Sequence, residues 1–227
     1  MVILAVDTTS RSGSLALARD GEVLENIAIE APDGFGQILY PRMEDLLASH
    51  RLAIPDIDLY AAASGPGSFT GIRVGMTAIK ALAEVNGKRV VAVSNLLAMA
   101  EAGQGGLRAP VLDARRGQVY AAVYDSELLP VVPECVVDWQ DFLRLIGGRG
   151  VTFISQSVEI FSPTGAAPLP ETGDGVRSVI LHEPLAAAVA RVAAISAKRG
   201  MTLTPEAIDA NYVRKSDAEL KWKDPAV

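Results

Sequence analysis

The hydrophobic pattern of the chain opens with predicted strands. Residues 2–6 are an uninterrupted apolar run with β-branched side chains, which is typical of a buried strand. Two further apolar stretches, over residues 14–18 and 23–29, are joined through Asp20-Gly21, a strong signal for a hairpin turn. We therefore expect three antiparallel strands at the start of the chain.

The next segment alternates predicted helices and strands. Apolar residues at helical spacing predict helices over residues 37–49 and 71–85, and Ser94 is expected to cap a third helix that ends at about residue 102. Short apolar runs predict strands over 59–63 and 89–93. The apolar faces of the first two helices are Leu39, Met43, Leu46 and Leu47, and Ile72, Met76, Ile79 and Leu82. The second helix also has a strip of glycine and alanine, over which another backbone can approach closely.

After Gln104-Gly105-Gly106 the pattern begins again. A predicted strand over 109–112 leads into Asp113, a turn and a return strand over 119–124, which repeats the arrangement around Asp7. The repeat predicts two α/β halves, each with a carboxylate at the end of its first strand, and a cleft between them.

This repeat divides the chain into an N-terminal half over residues 1–104 and a C-terminal half over 105–204. The later elements of the second half are expected to be a helix over 138–146, a strand over 151–154, a long loop over 162–175 and a helix over 184–198. Residues 205–227 are expected to form a C-terminal helix that packs back on the first half.

Composition and charge limit the classes of function. Of the 227 residues, 49% are hydrophobic and 21% are charged, which excludes a disordered protein. A net charge of −6 and an aromatic content of 5% give no electrostatic or stacking footprint for nucleic acid. Any nucleic acid would therefore need the help of other proteins to bind tightly.

The apolar stretches also bear on the location of the protein. None reaches the roughly 20 residues that a membrane helix needs. The apolar run at residues 2–6 is too short for the core of a signal peptide. We expect a cytoplasmic protein that does not contact the membrane.

Asp7, Thr8 and Thr9 follow the first predicted strand and are candidates for phosphate chemistry. A carboxylate beside hydroxyl groups can hold a hydrated Mg²⁺ ion and donate hydrogen bonds to phosphate oxygens. The same residue types also make ordinary hydrogen bonds within turns. The sequence leaves both interpretations open.

The segment Ser64-Gly65-Pro66-Gly67-Ser68-Phe69-Thr70-Gly71 lies between a predicted strand and a predicted helix. Its glycines and the free N–H groups of the helix N-terminus could cradle an anion. The residues offered to a phosphate would be Gly65, Gly67, Ser68 and Thr70. The segment is not a Walker loop, because no Lys-Ser or Lys-Thr follows its last glycine. The alternative is a tight connection whose glycines serve packing.

Asp113 and Arg115 could supply a second carboxylate and a phosphate-binding guanidinium to the same cleft. The alternative is an ordinary solvated hairpin turn. Hydrolytic metal chemistry has little support, because the two histidines, His50 and His182, are 132 residues apart. No Gly-x-Ser-x-Gly sequence supports a serine hydrolase.

Four segments together resemble the bacterial TsaB (YeaZ) family. They are residues 3–9, 65–75, 80–83 and 113–120, and Tyr212-Val213-Arg214 is similar to the family's closing Tyr-Leu-Arg. The resemblance covers about the first 125 residues. Its most specific part is the Gly-Pro-Gly-Ser-Phe-Thr-Gly string followed later by Asp-Ala-Arg.

The resemblance implies an α/β protein with the actin-like ATPase (sugar-kinase-like) fold, built from two ribonuclease-H-like halves. It also implies a role in forming threonylcarbamoyladenosine beside the anticodon of tRNAs that read codons beginning with A. In that pathway a TsaC-type enzyme makes threonylcarbamoyl-AMP and TsaD transfers the group to adenosine. TsaB is the non-catalytic partner of TsaD, and TsaE is an ATPase that docks on the pair. The family then needs no cofactor of its own, and ATP and magnesium act at the level of the complex.

Two positions agree with a non-catalytic role. TsaD-like proteins carry two metal-binding histidines four residues apart, and the matching positions here are Asn95 and Met99. Methionine is a poor ligand for hard metal ions and one amide makes no site, so we expect no bound metal. This chain also has Phe35-Gly36 where many TsaB sequences have His-Ser, which leaves the contacts of that loop undecided.

The two helices of the first half are the predicted partner surface. Its residues are Leu39, Met43, Leu46, Phe69, Ile72, Arg73 and Met76. By resemblance, this half forms a heterodimer with TsaD, and the same surface can form a homodimer when TsaD is absent. The alternative is that these faces only cover the protein's own sheet. A second functional hypothesis is an actin-like ATPase or small-molecule phosphotransferase that uses Asp7, Asp113 and the glycine-rich segment.

Overall fold

The first half of the chain is built on a five-stranded mixed sheet. The computed structural model describes residues 1–162, 164–167, 177–181 and 184–213. The elements of the first half are β1 (Val2–Asp7), β2 (Ser12–Arg19), β3 (Glu22–Glu30), α1 (Leu39–Ser49), β4 (Leu59–Gly65), α2 (Phe69–Val85), β5 (Arg89–Ser94) and α3 (Asn95–Ala102). The strand order is β3-β2-β1-β4-β5, with β1 antiparallel to β2 and parallel to β4. The prediction of three antiparallel opening strands is confirmed.

The second half repeats this topology. Its elements are β6 (Arg108–Arg115), β7 (Gln118–Tyr124), β8 (Pro130–Asp138), α4 (Trp139–Ile146), β9 (Thr152–Ser155) and β10 (Arg177–Ile180). The strand order is β10-β9-β6-β7-β8. It matches the first sheet taken in the direction β5-β4-β1-β2-β3, so that β6 occupies the place of β1. Strand β6 is antiparallel to β7 and parallel to β9, just as β1 is to β2 and β4. The sequence repeat around Asp7 and Asp113 therefore corresponds to a duplicated sheet.

Helix α5 (Ala186–Lys198) belongs to the core of the first sheet rather than the second. Its alanine-rich residues pack on β1 to β5 and on α3. The sequence analysis assigned this helix to the C-terminal half, over residues 105–204, whereas in the structure it packs on the sheet of the N-terminal half. The physical reason is that α1 and α2 cover only one face of the first sheet, so its apolar opposite face needs a cover of its own.

The segment after α5 returns across the first half. The backbone of Leu203 makes two hydrogen bonds with Val90 of β5, each 2.9 Å long. A short 3₁₀ turn, Pro205–Ala207, packs on α2, and Ile208 is buried in the core beneath that helix. Within residues 205–213 this turn is the one helical element described. The rest of the helix predicted over 205–227 lies outside the described residues, as does most of the loop predicted over 162–175.

The hydrophobic pattern gave no indication of β8 and β10. Strand β8 contains Pro130 and Pro133 and forms an edge of its sheet, where proline is tolerated but the alternation of buried and exposed residues is broken. Strand β10 has only four residues. Among the helices of the described ranges, none has the length and apolar character needed to cross a membrane.

Candidate functional site

The turn after β1 is closed by hydrogen bonds within the chain. Asp7, Thr8 and Thr9 are all less than 5% exposed. The Asp7 Oδ1 atom accepts hydrogen bonds from the Thr9 backbone N–H, at 2.8 Å, and from the Thr9 hydroxyl, at 2.6 Å. The Thr8 hydroxyl donates to the backbone oxygen of Gly71, at 2.7 Å. The hydroxyl groups that could have faced a phosphate are therefore used inside the protein.

Asn95 joins this turn to the end of β4. Its Nδ2 atom donates to the Thr9 hydroxyl at 2.5 Å, and its Oδ1 atom accepts from the Gly65 backbone N–H at 3.1 Å. The side chain is 4% exposed. Sequence reasoning identified Asn95 only as a missing metal ligand, whereas the structure gives it a role in holding the two segments together.

The glycine-rich segment packs directly on the same turn. A Cβ atom at Gly71 would overlap the backbone oxygen of Thr8, and one at Gly67 would lie 2.5 Å from the backbone oxygen of Thr9. The Ser68 N–H donates to that Thr9 oxygen at 2.7 Å, so it is not free for an anion. These contacts are those of close packing, one of the two interpretations of this segment, and they leave the Ser68 N–H engaged within the chain.

A cleft of about 1110 Å³ lies between the two halves. Its lining includes Asp7, Ser10, Arg11, Ser14, Asp113, Arg115, Ser155 and Glu159. The predicted carboxylates of both halves and Arg115 thus face one cleft. The other predicted cleft residues, which are Thr8, Thr9, Gly65, Gly67, Ser68 and Thr70, do not line it.

The hairpin that follows β6 keeps its charges paired. The Arg115 backbone N–H donates to Asp113 Oδ1 at 2.7 Å, and the Arg115 guanidinium lies 3.4 Å from Asp113 Oδ2. Arg115 has a positive φ of 64°, and both side chains are exposed. These contacts are typical of a solvated hairpin turn, the alternative interpretation of this segment, and both side chains also line the cleft.

Asp7 is a buried titratable group that lines the cleft. Burial raises the pKa of its carboxyl above the usual value of 3.8, and the hydrogen bonds from Thr9 offset this rise only in part. Ionisation of Asp7 therefore lowers the stability of the folded protein.

The predicted partner surface divides into buried and exposed residues. Leu39, Met43, Leu46, Ile72 and Met76 are at most 5% exposed and belong to the core between α1, α2 and the first sheet. These five side chains therefore mainly cover the protein's own sheet, which is the alternative interpretation of these faces, although Leu39 also reaches the groove described next. Phe69 and Arg73 are exposed.

A groove of about 460 Å³ runs between the outer faces of α1 and α2. We call it the α1–α2 groove, and its lining is Gly36, Leu39, Tyr40, Phe69, Thr70, Arg73, Val74, Thr77 and Ala78. Tyr40 and Phe69 are 44% and 47% exposed, and the Arg73 guanidinium lies 3.8 Å above the centre of the Phe69 ring. Sequence reasoning missed Tyr40, Val74 and Thr77, although helical spacing from Phe69 and Arg73 places two of them on the same face of α2.

Comparison with known proteins assigns the family. A family model described as "TsaD: tRNA N6-adenosine threonylcarbamoyltransferase" matches residues 29–219. The chain is also 30% identical over 229 residues to the tRNA threonylcarbamoyladenosine biosynthesis protein TsaB of Bacillus subtilis (strain 168), and the match covers 98% of each chain. The chain belongs to the TsaB family.

Solved structures agree with this TsaB assignment. A Pseudomonas aeruginosa protein described as uncharacterized, with similarity to peptidase YeaZ, has a TM-score of 0.77 at 25% identity, over 94% of this chain and 99% of that one. The activator of the 2-hydroxyisocaproyl-CoA dehydratase from Clostridium difficile, with bound ADPNP, has a TM-score of 0.50 at 10% identity, over 88% of this chain and 97% of that one. The second likeness concerns the fold alone. The fold is the actin-like ATPase fold that the resemblance implied.

The two positions that match the metal-binding histidines of TsaD-like proteins serve the structure of this TsaB chain. Asn95 holds the turn after β1, and Met99 is fully buried in the core. Among the described residues, no group of three or more His, Cys, Asp or Glu side chains could hold a metal ion. Both side chains are thus engaged in the hydrogen bonding and packing of this chain.

The packing of α2 on the β1 turn can be tested at Gly71. We expect Gly71→Ala to lower the free energy of unfolding by about 3 kcal/mol, because the added methyl group overlaps a backbone oxygen that cannot move freely. The matched control is Gly150→Ala, whose Cβ would meet no atom within 4 Å and which should change stability by less than about 0.5 kcal/mol. Urea unfolding measures both, and an unchanged midpoint for Gly71→Ala would contradict this packing.

The buried carboxylate predicts a pH-dependent effect at Asp7. Because its pKa is raised in the folded state, the stability contributed by the protonated carboxyl is fully present below 3.8 and is lost as the pH rises through the folded pKa. Asp7→Asn keeps an acceptor oxygen for Thr9 and carries no charge. We therefore expect the stability of this variant relative to the wild type to increase as the pH rises above the ordinary carboxyl pKa of 3.8, measured by urea unfolding. A difference between the two proteins that does not change with pH would contradict the interpretation.

Proposed function

We propose that this chain is the non-catalytic partner of a TsaD-type enzyme in the threonylcarbamoylation of the adenosine beside the tRNA anticodon. The observation that carries the proposal is the α1–α2 groove, an exposed apolar surface next to a glycine-rich segment that packs closely on the turn after β1. The groove offers exposed side chains to a protein partner, whereas the Ser68 N–H and the Thr8 and Thr9 hydroxyl groups are already engaged within the chain. The resulting role is to bind and activate an enzyme rather than to carry out the transfer.

The groove has the properties of a protein-binding surface. Exposed aromatic side chains beside an arginine are the residue types that contribute most to binding energy at interfaces. Tyr40 and Phe69 expose nearly half of their surface on either side of the groove. The same surface would pair two copies of the chain when TsaD is absent, because one self-complementary patch can form a symmetric dimer.

The other components act on the pair. TsaE docks on the complex of this chain with TsaD, and ATP and magnesium are bound at that level rather than by this chain alone. The net charge of −6 supports a role in which TsaD makes most of the contacts to tRNA. The alternative of an independent ATPase or phosphotransferase is less well supported, because the groups it needs at Thr9 and Ser68 are engaged in internal hydrogen bonds.

A reconstitution with one component left out tests the proposal. TsaC, TsaD and TsaE from the same organism are incubated with unmodified tRNA, threonine, bicarbonate and ATP, with and without this chain. Threonylcarbamoyladenosine is measured by mass spectrometry. We expect product only when the chain is present. Equal product without it would contradict the proposal, and ATP hydrolysis by the isolated chain that is abolished in Asp7→Ala would favour the enzymatic alternative.

The role of the groove can be tested at Tyr40. We expect Tyr40→Ala to weaken binding to TsaD by about 30-fold, as for a central aromatic residue of an interface, with little change in the melting temperature. Leu145→Ala is the matched control, because Leu145 is 48% exposed on α4 of the second half, away from the groove. Titration calorimetry measures both affinities. Equal weakening by the two variants, or none by Tyr40→Ala, would place the docking surface elsewhere.

A further inference from the structure

The segment after α5 reaches the edge of the α1–α2 groove. We call residues 202–213 the C-terminal strap. It is fixed to the first half by the hydrogen bonds between Leu203 and Val90, by the buried side chain of Ile208, and by the Asn211 N–H, which donates to the Ser64 backbone oxygen at 2.8 Å. Its path therefore ends beside the glycine-rich segment and the start of α2.

Tyr212 of the strap packs on two residues that line the groove. Its ring centre lies 5.3 Å from that of Phe69, and its hydroxyl oxygen accepts a hydrogen bond from Arg73 Nε at 3.3 Å. Arg73 in turn lies over the Phe69 ring. The three side chains restrain one another, because aromatic and cation–π contacts each favour a particular geometry. The orientation of Phe69 and Arg73 in the groove thus depends on where the strap places Tyr212.

The neighbouring residue of the strap is held by the second half. Glu134 on β8 accepts hydrogen bonds from Asn211 Nδ2 at 2.6 Å, through Oε2, and from the Tyr124 hydroxyl at 2.7 Å, through Oε1. Both carboxylate oxygens are thus engaged, one by the strap and one by β7. Such charge-assisted hydrogen bonds are stronger than neutral ones and fix geometry well. Asn211 and Tyr212 are adjacent in the chain, so a displacement of the first is passed to the second.

We propose that Glu134, Asn211 and Tyr212 are positioning residues that set the shape of the α1–α2 groove and couple it to the second half of the chain. The inference rests on the proposed function, in which a TsaD-type protein docks in this groove. Glu134 itself does not line the groove. A substitution at Glu134 therefore changes the affinity for the partner only by moving the strap. Because Glu134 lies in the second half, the affinity of the groove also depends on how the two halves are arranged.

A double-mutant cycle tests the coupling. We expect Glu134→Gln to weaken binding to TsaD by about fivefold and Tyr212→Ala by about tenfold. Because both changes act through the same strap, the double variant should bind no more weakly than Tyr212→Ala alone. Tyr212→Phe, which keeps the ring, should recover most of the affinity. Glu101→Gln is the control, because Glu101 Oε1 accepts a hydrogen bond from Arg191 Nε at 2.7 Å, away from the strap, and the affinity of this variant should equal that of the wild type.

The outcomes separate the two proposals. If the wild-type chain does not bind TsaD, the proposed function fails, and this inference fails with it. If the wild type binds and Glu134→Gln binds equally well, or if the two effects multiply in the double variant, the coupling alone is overturned. A readout without the partner is amide hydrogen exchange in the free chain, where Glu134→Gln should speed exchange at the Asn211 N–H and at the start of α2, whereas Glu101→Gln should not.

Discussion

The contact between α2 and the turn after β1 is the constraint on which the first half depends. The helix can lie against Thr8 and Thr9 only because residues 67, 71 and 75 have no side chains. This close approach places the backbone oxygens of Thr8 and Thr9 against the bare faces of Gly71 and Gly67. It also fixes the position of α2 on the sheet, and with it the face that α2 presents outward. One packing contact therefore places the α1–α2 groove.

The two surfaces of the molecule have different chemistry as a result. The cleft between the halves has hydroxyl groups and three carboxylates at its walls, those of Asp7, Asp113 and Glu159. Ionisation of the buried Asp7 is unfavourable, and Arg115 is paired with Asp113. The α1–α2 groove is apolar, open and edged by exposed aromatic side chains. The strap connects the second half to this groove, because Asn211 is hydrogen-bonded to the second half and the adjacent Tyr212 packs on residues of the groove.

Much of the fold could be predicted from the sequence, because local patterns carry it. The apolar run before Asp7, the Asp20-Gly21 turn and the second strand before Asp113 each appear as short-range signals. The place of α5 could not be predicted, because its alanine-rich surface fits either sheet. The groove was predicted only in part: Phe69 and Arg73 were named from the sequence, but the other exposed residues of the groove were not. Helix α2 has two faces whose side chains can pack, and helical spacing does not say which face meets the chain's own sheet. Spacing likewise could not decide between packing and phosphate binding at Gly67 and Gly71, because both need glycine for the same close approach.

The proposed role requires TsaD to bind at the outer face of α1 and α2 rather than in the cleft. Hydrogen–deuterium exchange of the chain with and without TsaD distinguishes these two surfaces. We expect protection on binding at peptides from α1 and from the first half of α2, with peptides around Ser10 and Ser155 in the cleft unchanged. Protection confined to the cleft peptides, with α1 and α2 exchanging as in the free chain, would contradict it.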